Sequence, residues 1–275
     1  MEKKYAQRSK DISSKIKQEL IAQSIFIENN AQLYLEINCI SLDGNGKIIT
    51  TKNNKKSISR KINFLSSDSI KASSDSTKKV GILVSCSHRR SGGGWLSGSM
   101  AQEESVSRAT TWAVQARLFN DWYKQDDWLG QKGALVIDGL LFFNEKYEEL
   151  KHSKKVVFAG VAAANKAALN NDTYWDSEKG VVERKNCLID NLVCALAEFD
   201  KRGVEDVILC AFGTNVFGWK LEHSIEVLHE ATKYASDKLN FLCAIGSEQK
   251  VKIAEEIYTN ILSKDLQKAV SKRVL

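Results

Sequence analysis

Apolar residues recur at helical spacing from Asp11 to Ile25, at Ile12, Ile16, Leu20, Ile21 and Ile25, the stripe of an amphipathic helix. Beyond it, Gln32–Ser41 and Lys47–Thr51 read as a hairpin about Asp43-Gly44-Asn45-Gly46, a strong turn signal. An extended run closes on Lys61-Ile62-Asn63-Phe64-Leu65 and gives way to a polar loop. From there the pattern alternates. Apolar runs at Val80–Cys86, Ala134–Ile137, Val156–Ala163, Val207–Phe212 and Leu239–Ile245 predict buried strands. Helical periodicity predicts helices over Met100–Tyr123, Arg184–Arg202, Leu221–Leu239 and Glu248–Ser263, the first with Ala109, Trp112, Ala113, Ala116 and Phe119 on one face. No linker, repeat or low-complexity stretch interrupts the alternation. This implies one α/β domain with helices on both faces of a largely parallel sheet. Ligands of such sheets bind at the carboxyl ends of the strands, where loops lead into helix N-termini.

Composition narrows the class. Of 275 residues, 43% are hydrophobic and 27% charged, which excludes disordered, collagen-like and fibrous chains. No run reaches the roughly 18 apolar residues of a spanning helix; Ala134–Phe143 is broken by Asp138 and Gly139. The opening Met-Glu-Lys-Lys carries no apolar signal core, so the expectation is a soluble, cytoplasmic protein without membrane contact, or one acting in a host's cytosol after non-classical export. Proline is absent, and turns fall to Gly, Asn, Asp and Ser. The six cysteines form no C-x-x-C pair and four sit in apolar runs, which reads as reduced, buried thiols. With four scattered histidines they make no ligand set, and neither metal nor cofactor is expected. The net charge of +6 is uneven, +9 over residues 1–90 and −3 over the rest. A basic first third suits a polyanion. Its densest stretch, residues 52–61, lacks interleaved aromatics and reads as a solvated loop, so nucleic acid is not the expected partner.

Two loops stand out at the predicted carboxyl edge. The first, from Ser91-Gly92-Gly93-Gly94-Trp95 through Gly98-Ser99-Met100-Ala101 to Gln102-Glu103-Glu104, joins a strand to a helix. Three successive glycines cost backbone entropy; one compensating gain is close approach of N–H groups to an anion. Spacing leaves a plain flexible turn equally open. A dinucleotide fingerprint fails because Gly98 falls one residue late after Gly92-x-Gly94, and a P-loop fails because no Gly-Lys-Ser/Thr follows. Ser99 and Gln102 fit a capping box that starts the helix at Met100. Glu103 and Glu104 then occupy its first turn, where a carboxylate gains about 0.3–1 kcal/mol from the helix dipole. That dipole opposes the protonated form an acid catalyst needs, so a catalytic role calls for a phosphate-bearing ligand close by. In the second loop, Gly213 and Gly218 permit a tight cradle before a helix N-terminus, which adds positive potential for phosphate. Phe217 reads equally as a ribose platform or as an apolar staple onto that helix.

Taken together, Gly92-Gly93-Gly94, seven residues, then Gln102-Glu103-Glu104 resembles the signature of macrodomain-type poly(ADP-ribose) glycohydrolases, especially their microbial branch. The resemblance runs on in order through most of the chain. Asp68 falls where the family places an adenine-binding aspartate. Ala159–Asn165 looks like its mid-sheet strand ending in asparagine, and Gly213-Thr214-Asn215-Val216-Phe217-Gly218 like its diphosphate-binding loop. The resemblance implies a three-layer α/β/α macrodomain-like mixed sheet in one domain over 1–275, with a helical and hairpin extension (1–61) packed on a core (62–263). It also implies ADP-ribose or ADP-ribosylated proteins as partners. Asp68 would then hold adenine, both glycine loops with Gln102 and Asn165 the diphosphoribose, Glu103 the ribose hydroxyls, and Glu104 would be the general acid and base. The scheme calls on no metal.

The chain departs from the family in three places. Ser85-Cys86-Ser87 stands for the usual Asn-Phe-Ala, Ser91 for the proline before the glycines, and Ala164 for the proline before Asn165. The serine for asparagine bears on the distal ribose and keeps two substrates open. These are ribose–ribose bonds of the polymer, and mono-ADP-ribose on a side chain such as arginine. A non-catalytic ADP-ribose reader shares the fold, but has little use for paired glutamates at the scissile bond.

Overall fold

Ile27, Ala31 and Leu35 repeat every fourth residue and are buried, and the backbone answers with one long helix, α1 (Glu2–Ile37). The computed structural model describes residues 2–51, 60–87, 89–123, 132–165, 173–214 and 217–271. Most of the basic stretch at 52–61 and the loop residues Asn215 and Val216 therefore lie outside the described residues.

The strand expected over Gln32–Ser41 is corrected. Its apolar positions are the end of the helical stripe, and the segment is helical to Ile37. The Asp43–Gly46 turn does form, with Gly44 N–H donating to Ser41 O and Gly46 N–H to Asp43 O, each at 2.8 Å. It leads from a helix into β1 (Lys47–Ile49), so no hairpin closes there. The chain continues through β2 (Ile62–Leu65), α2 (Ser69–Asp75), β3 (Val80–Ser85), a 3-10 turn at Trp95–Ser97, α3 (Gln102–Ala109), α4 (Trp112–Ala116) and α5 (Asn120–Tyr123). There follow β4 (Ala134–Phe143), β5 (Glu149–Val161), α6 (Glu178–Lys201), β6 (Asp206–Cys210), α7 (Leu221–Thr232), β7 (Asn240–Ala244) and α8 (Glu248–Ser271).

The single helix expected over Met100–Tyr123 is thus broken into short pieces. Thr110 takes an extended conformation and bridges Leu141, while the Thr111 hydroxyl donates to Gln115 Oε1 at 2.5 Å and accepts from Leu140 N–H at 3.0 Å. Two β-branched residues with hydroxyls that bond elsewhere give the chain an alternative to helix. The Met100 start is corrected too: α3 begins at Gln102 after Ala101, and no side chain caps it.

The strands form one sheet in the order β1-β4-β5-β3-β6-β7-β2. The run β5-β3-β6-β7-β2 is parallel, and β4 pairs antiparallel with both β5 and β1. The three-layer α/β/α expectation holds. One face of the sheet, with Val80, Ile82 and Val84, packs against α1 to α5; the other, with Leu83, Val157 and Val207, packs against α6 to α8. Alternation along β3 thus buries both faces, as a parallel core requires. Helix α1 lies on the first face and is tied to the 3-10 turn after the glycines by Ser24, whose Oγ donates to Trp95 O at 2.7 Å. No described helix is long and apolar enough to cross a membrane.

Candidate active site

The parallel strands all end at one edge of the sheet, where their loops wall a cleft of about 1080 Å³. Asp68 stands at one end of it, after edge strand β2. The glycine loop after β3 lies three strands away, about 14 Å at ordinary strand spacing. Asn165 after β5, and Gly213, Thr214 and Phe217 after β6, also line the cleft.

The glycine loop is held from beneath by the two glutamates. Successive helical residues point about 100° apart, so Glu103 and Glu104 part company. Glu103 is 2% exposed. Its Oε2 accepts from Ser87 N–H at 2.6 Å and its Oε1 from Gly92 N–H at 2.9 Å, with Trp112 Nε1 and Tyr123 OH each 3.4 Å from Oε1. Burial pushes this carboxyl up to about 7, opposed by the donors from Ser87, Trp112 and Gly92 and reinforced by the charge of Glu104. Both its oxygens are thus engaged by the protein. Glu104 lines the cleft, and its Oε1 accepts from Gly94 N–H at 2.9 Å. Its Oε2 takes no donor from the described residues.

Gly93 explains the triple glycine. Its φ of +56° is left-handed, strained for other residues, and a Cβ there would fall 2.5 Å from Glu104 Oε1. Gly213 is similar, with φ +71° and a Cβ position 2.6 Å from the Trp219 indole. That indole donates to Ala164 O at 2.8 Å, and Arg184 stacks over it and over Trp175, 5.4 and 4.3 Å from the ring centres.

The other expected residues divide. The Oδ1 of Asp68 accepts from Ile70 and Lys71 N–H, each at 2.8 Å, and so caps α2 while lining the cleft. Gln102 also lines the cleft, but its amide serves the protein: Oε1 accepts from Ser85 N–H at 2.8 Å, and Nε2 donates to Leu83 O at 3.0 Å and Ser69 Oγ at 3.2 Å. Gly218, with φ +75°, turns the chain toward α7. Sequence reasoning missed the shell behind the site: Ser24 and Arg108 on Trp95 O, Trp112 and Tyr123 on Glu103, Trp219 under Gly213. These contacts join separate elements and follow no helical or strand period, and only the aromatic residue type gave any signal. Among the described residues, no three of His, Cys, Asp and Glu stand together to ligate a metal.

The family described as "Microbial-type PARG, catalytic domain" matches residues 3–141. No curated protein matches in sequence. The fold is similar to that of poly(ADP-ribose) glycohydrolase from Thermomonospora curvata bound to the inhibitor ADP-HPD, with TM-score 0.68 at 16% identity, covering 89% of this chain and 98% of that one. The enzyme from Deinococcus radiodurans in complex with ADP-ribose gives TM-score 0.62 at 15% identity, covering 74% and 84%. The matched segment runs from α1 through the glycine loop and both glutamates into β4, and on that span the chain belongs to the microbial-type PARG catalytic-domain family.

Proposed function

We propose that this protein hydrolyses O-glycosidic ribose–ribose bonds of poly(ADP-ribose), with Glu104 as general acid and then general base. Family membership and the similar glycohydrolase structures support the reaction class. The observation that carries the assignment of Glu104 is its geometry: one oxygen is fixed by Gly94 N–H in the triglycine bend, and the other is left to the cleft.

In this reading one ADP-ribose unit lies along the strand ends. The outer oxygen of Asp68 accepts from the adenine amino group at the β2 end. The N–H groups of Gly92, Gly93 and Gly94 are taken by Glu103, Arg90 O and Glu104, so the diphosphate is met by the loop after β6 and by the positive N-terminus of α7, with the glycines supplying only close backbone approach. The terminal ribose then reaches Glu104, with Phe217 against it and Asn165 nearby. Glu104 gives its proton to the departing oxygen as the bond to the anomeric carbon breaks. Water adds to the oxocarbenium-like carbon from the cleft, and its proton returns to Glu104. Glu103 is engaged by Ser87 and Gly92, so it holds the bend that positions its neighbour, and ribose hydroxyls meet it only at the cleft floor. The buried thiols of Cys86, Cys194, Cys210 and Cys243 suit action in a reducing, cytoplasmic compartment.

The test is release of ADP-ribose from poly(ADP-ribose) by the wild type and by Glu104→Gln. Loss of hydrolysis in the variant with ADP-ribose affinity kept supports the assignment. Equal turnover by both removes Glu104 from the chemistry.

A further inference from the structure

Among the described residues, few charges line the cleft: Asp68, Glu103 and Glu104 are the acids, and Arg90 and Lys250 the bases. Lys250 stands in the first turn of α8, just after Gly246, whose N–H donates to Ser67 O at 2.9 Å; it therefore belongs to the Asp68 end. Arg90 stands at the other end, in the turn where Gly93 N–H donates to Arg90 O at 3.1 Å. Arg90 is exposed, and its guanidinium has neither hydrogen bond nor ion pair among the described residues. Arg89 beside it is exposed as well.

The proposed mechanism leaves this cation without a task. The first diphosphate lies between Asp68 and the glycine loop, where the loop after β6 and the N-terminus of α7 meet it. What lies past Glu104 is the leaving group. In a polymer that group is the adenosine ribose of the next unit, which carries a second diphosphate on its 5′ carbon, across the same five-membered ring as the departing oxygen. On a modified arginine the leaving group is instead a cation. A guanidinium presents a planar fork that matches phosphate oxygens two at a time.

We infer that Arg90 forms a second diphosphate subsite on the leaving-group side of the cleft, which selects polymer over mono-ADP-ribosylated side chains. This rests on the glycohydrolase reading above. The charge of +9 over residues 1–90 adds a long-range attraction for the same polyanion.

The test compares kcat/KM on poly(ADP-ribose) with kcat/KM on an ADP-ribose glycoside of a neutral phenol, for the wild type, Arg90→Gln and Arg90→Glu. An exposed, charge-assisted contact predicts a fall of about threefold to tenfold on polymer for Arg90→Gln and a larger fall for Arg90→Glu. The polymer rate should also lose part of its salt dependence, while the phenol glycoside and ADP-ribose affinity by calorimetry stay at wild-type values. Unchanged polymer kinetics in both variants, with Glu104→Gln inactive, overturns the subsite and leaves the glycohydrolase reading standing. A wild type that cleaves neither substrate overturns both.

Discussion

Ser24 Oγ and Arg108 Nη2 converge on one atom, the carbonyl oxygen of Trp95, each at 2.7 Å. Arg108 Nε also donates to Ser24 Oγ at 3.0 Å, and all three groups are buried. Trp95 directly follows Gly94, whose N–H fixes Glu104, and Arg108 stands one helical turn beyond Glu104 on α3. Helices α1 and α3 therefore grip the glycine loop together. Ser24→Ala removes one donor from the Trp95 carbonyl and one acceptor from Arg108. It should destabilise the fold by about 1–2 kcal/mol and lower kcat several-fold more than it raises KM, because the loop rather than the adenine end loosens. Urea denaturation and steady-state kinetics check this. A variant with kcat intact would show that the bend keeps its shape without α1.

Glu104→Gln and Gly93→Ala reach the same carboxylate from opposite sides. The amide keeps its oxygen for Gly94 N–H but carries no transferable proton, and should cost about 10²–10⁴ in kcat. The added methyl of Gly93→Ala meets Glu104 Oε1, the far end of a flexible side chain, at 2.5 Å. The carboxylate can swing away, so the cost in stability is the backbone strain, about 1–3 kcal/mol. The loss in kcat should approach that of Glu104→Gln. Paired measurements of melting temperature and turnover separate the two quantities.

Asp68 caps α2, and substitution can separate that task from the adenine contact proposed for it. Asn is as good a helix cap as Asp, so Asp68→Asn should leave stability within about 0.5 kcal/mol of wild type. Its outward amide nitrogen would face the adenine amino group donor to donor, and ADP-ribose affinity should fall at least about tenfold, the scale of one lost polar contact. Asp68→Ala should lose the same affinity and about 1 kcal/mol of stability as well. Calorimetric titration with ADP-ribose alongside thermal melts distinguishes them, and equal affinity in all three proteins would remove Asp68 from adenine recognition.

The buried centre of the sheet was legible because β3, β6 and β7 are covered on both faces and read as continuous apolar runs. Where one physical signal served two structures, it was not. Six residues of Gln32–Ser41 carry the same apolar spacing as the end of α1, and only packing by Ile27, Ala31 and Leu35 decides for helix. The first half of β5, Glu149–Lys155, is exposed or half-buried and polar, yet it pairs along β4. Its strand character comes from its partner. The glycines and glutamates were legible as a motif because they lie close together in the chain, in one loop and the first turn of the helix it leads into. Ser24, Arg108, Trp112 and Tyr123 were not, since their bonds to Trp95 and Glu103 join separate elements that no local pattern brings together.

Glu103 carries a stability that depends on pH. Burial raises its carboxyl from 4.5 to about 7 in the folded protein, whereas the unfolded chain titrates near 4.3. Below the unfolded value both states are protonated, and the contribution of neutral Glu103 is fully present. As pH rises the unfolded chain releases its proton first, so stability falls through this window and levels off above about 7. The shift corresponds to a loss of about 3–4 kcal/mol at most. Glu103→Gln cannot titrate, although its amide nitrogen must face one of the N–H donors of Ser87 or Gly92 and the variant is less stable than wild type at pH 5. Between pH 5 and pH 8 the gap in melting temperature between the two proteins should therefore narrow. A gap of constant width across that range would mean that Glu103 ionises as readily inside the protein as in the unfolded chain, the donors on its oxygens just offsetting its burial.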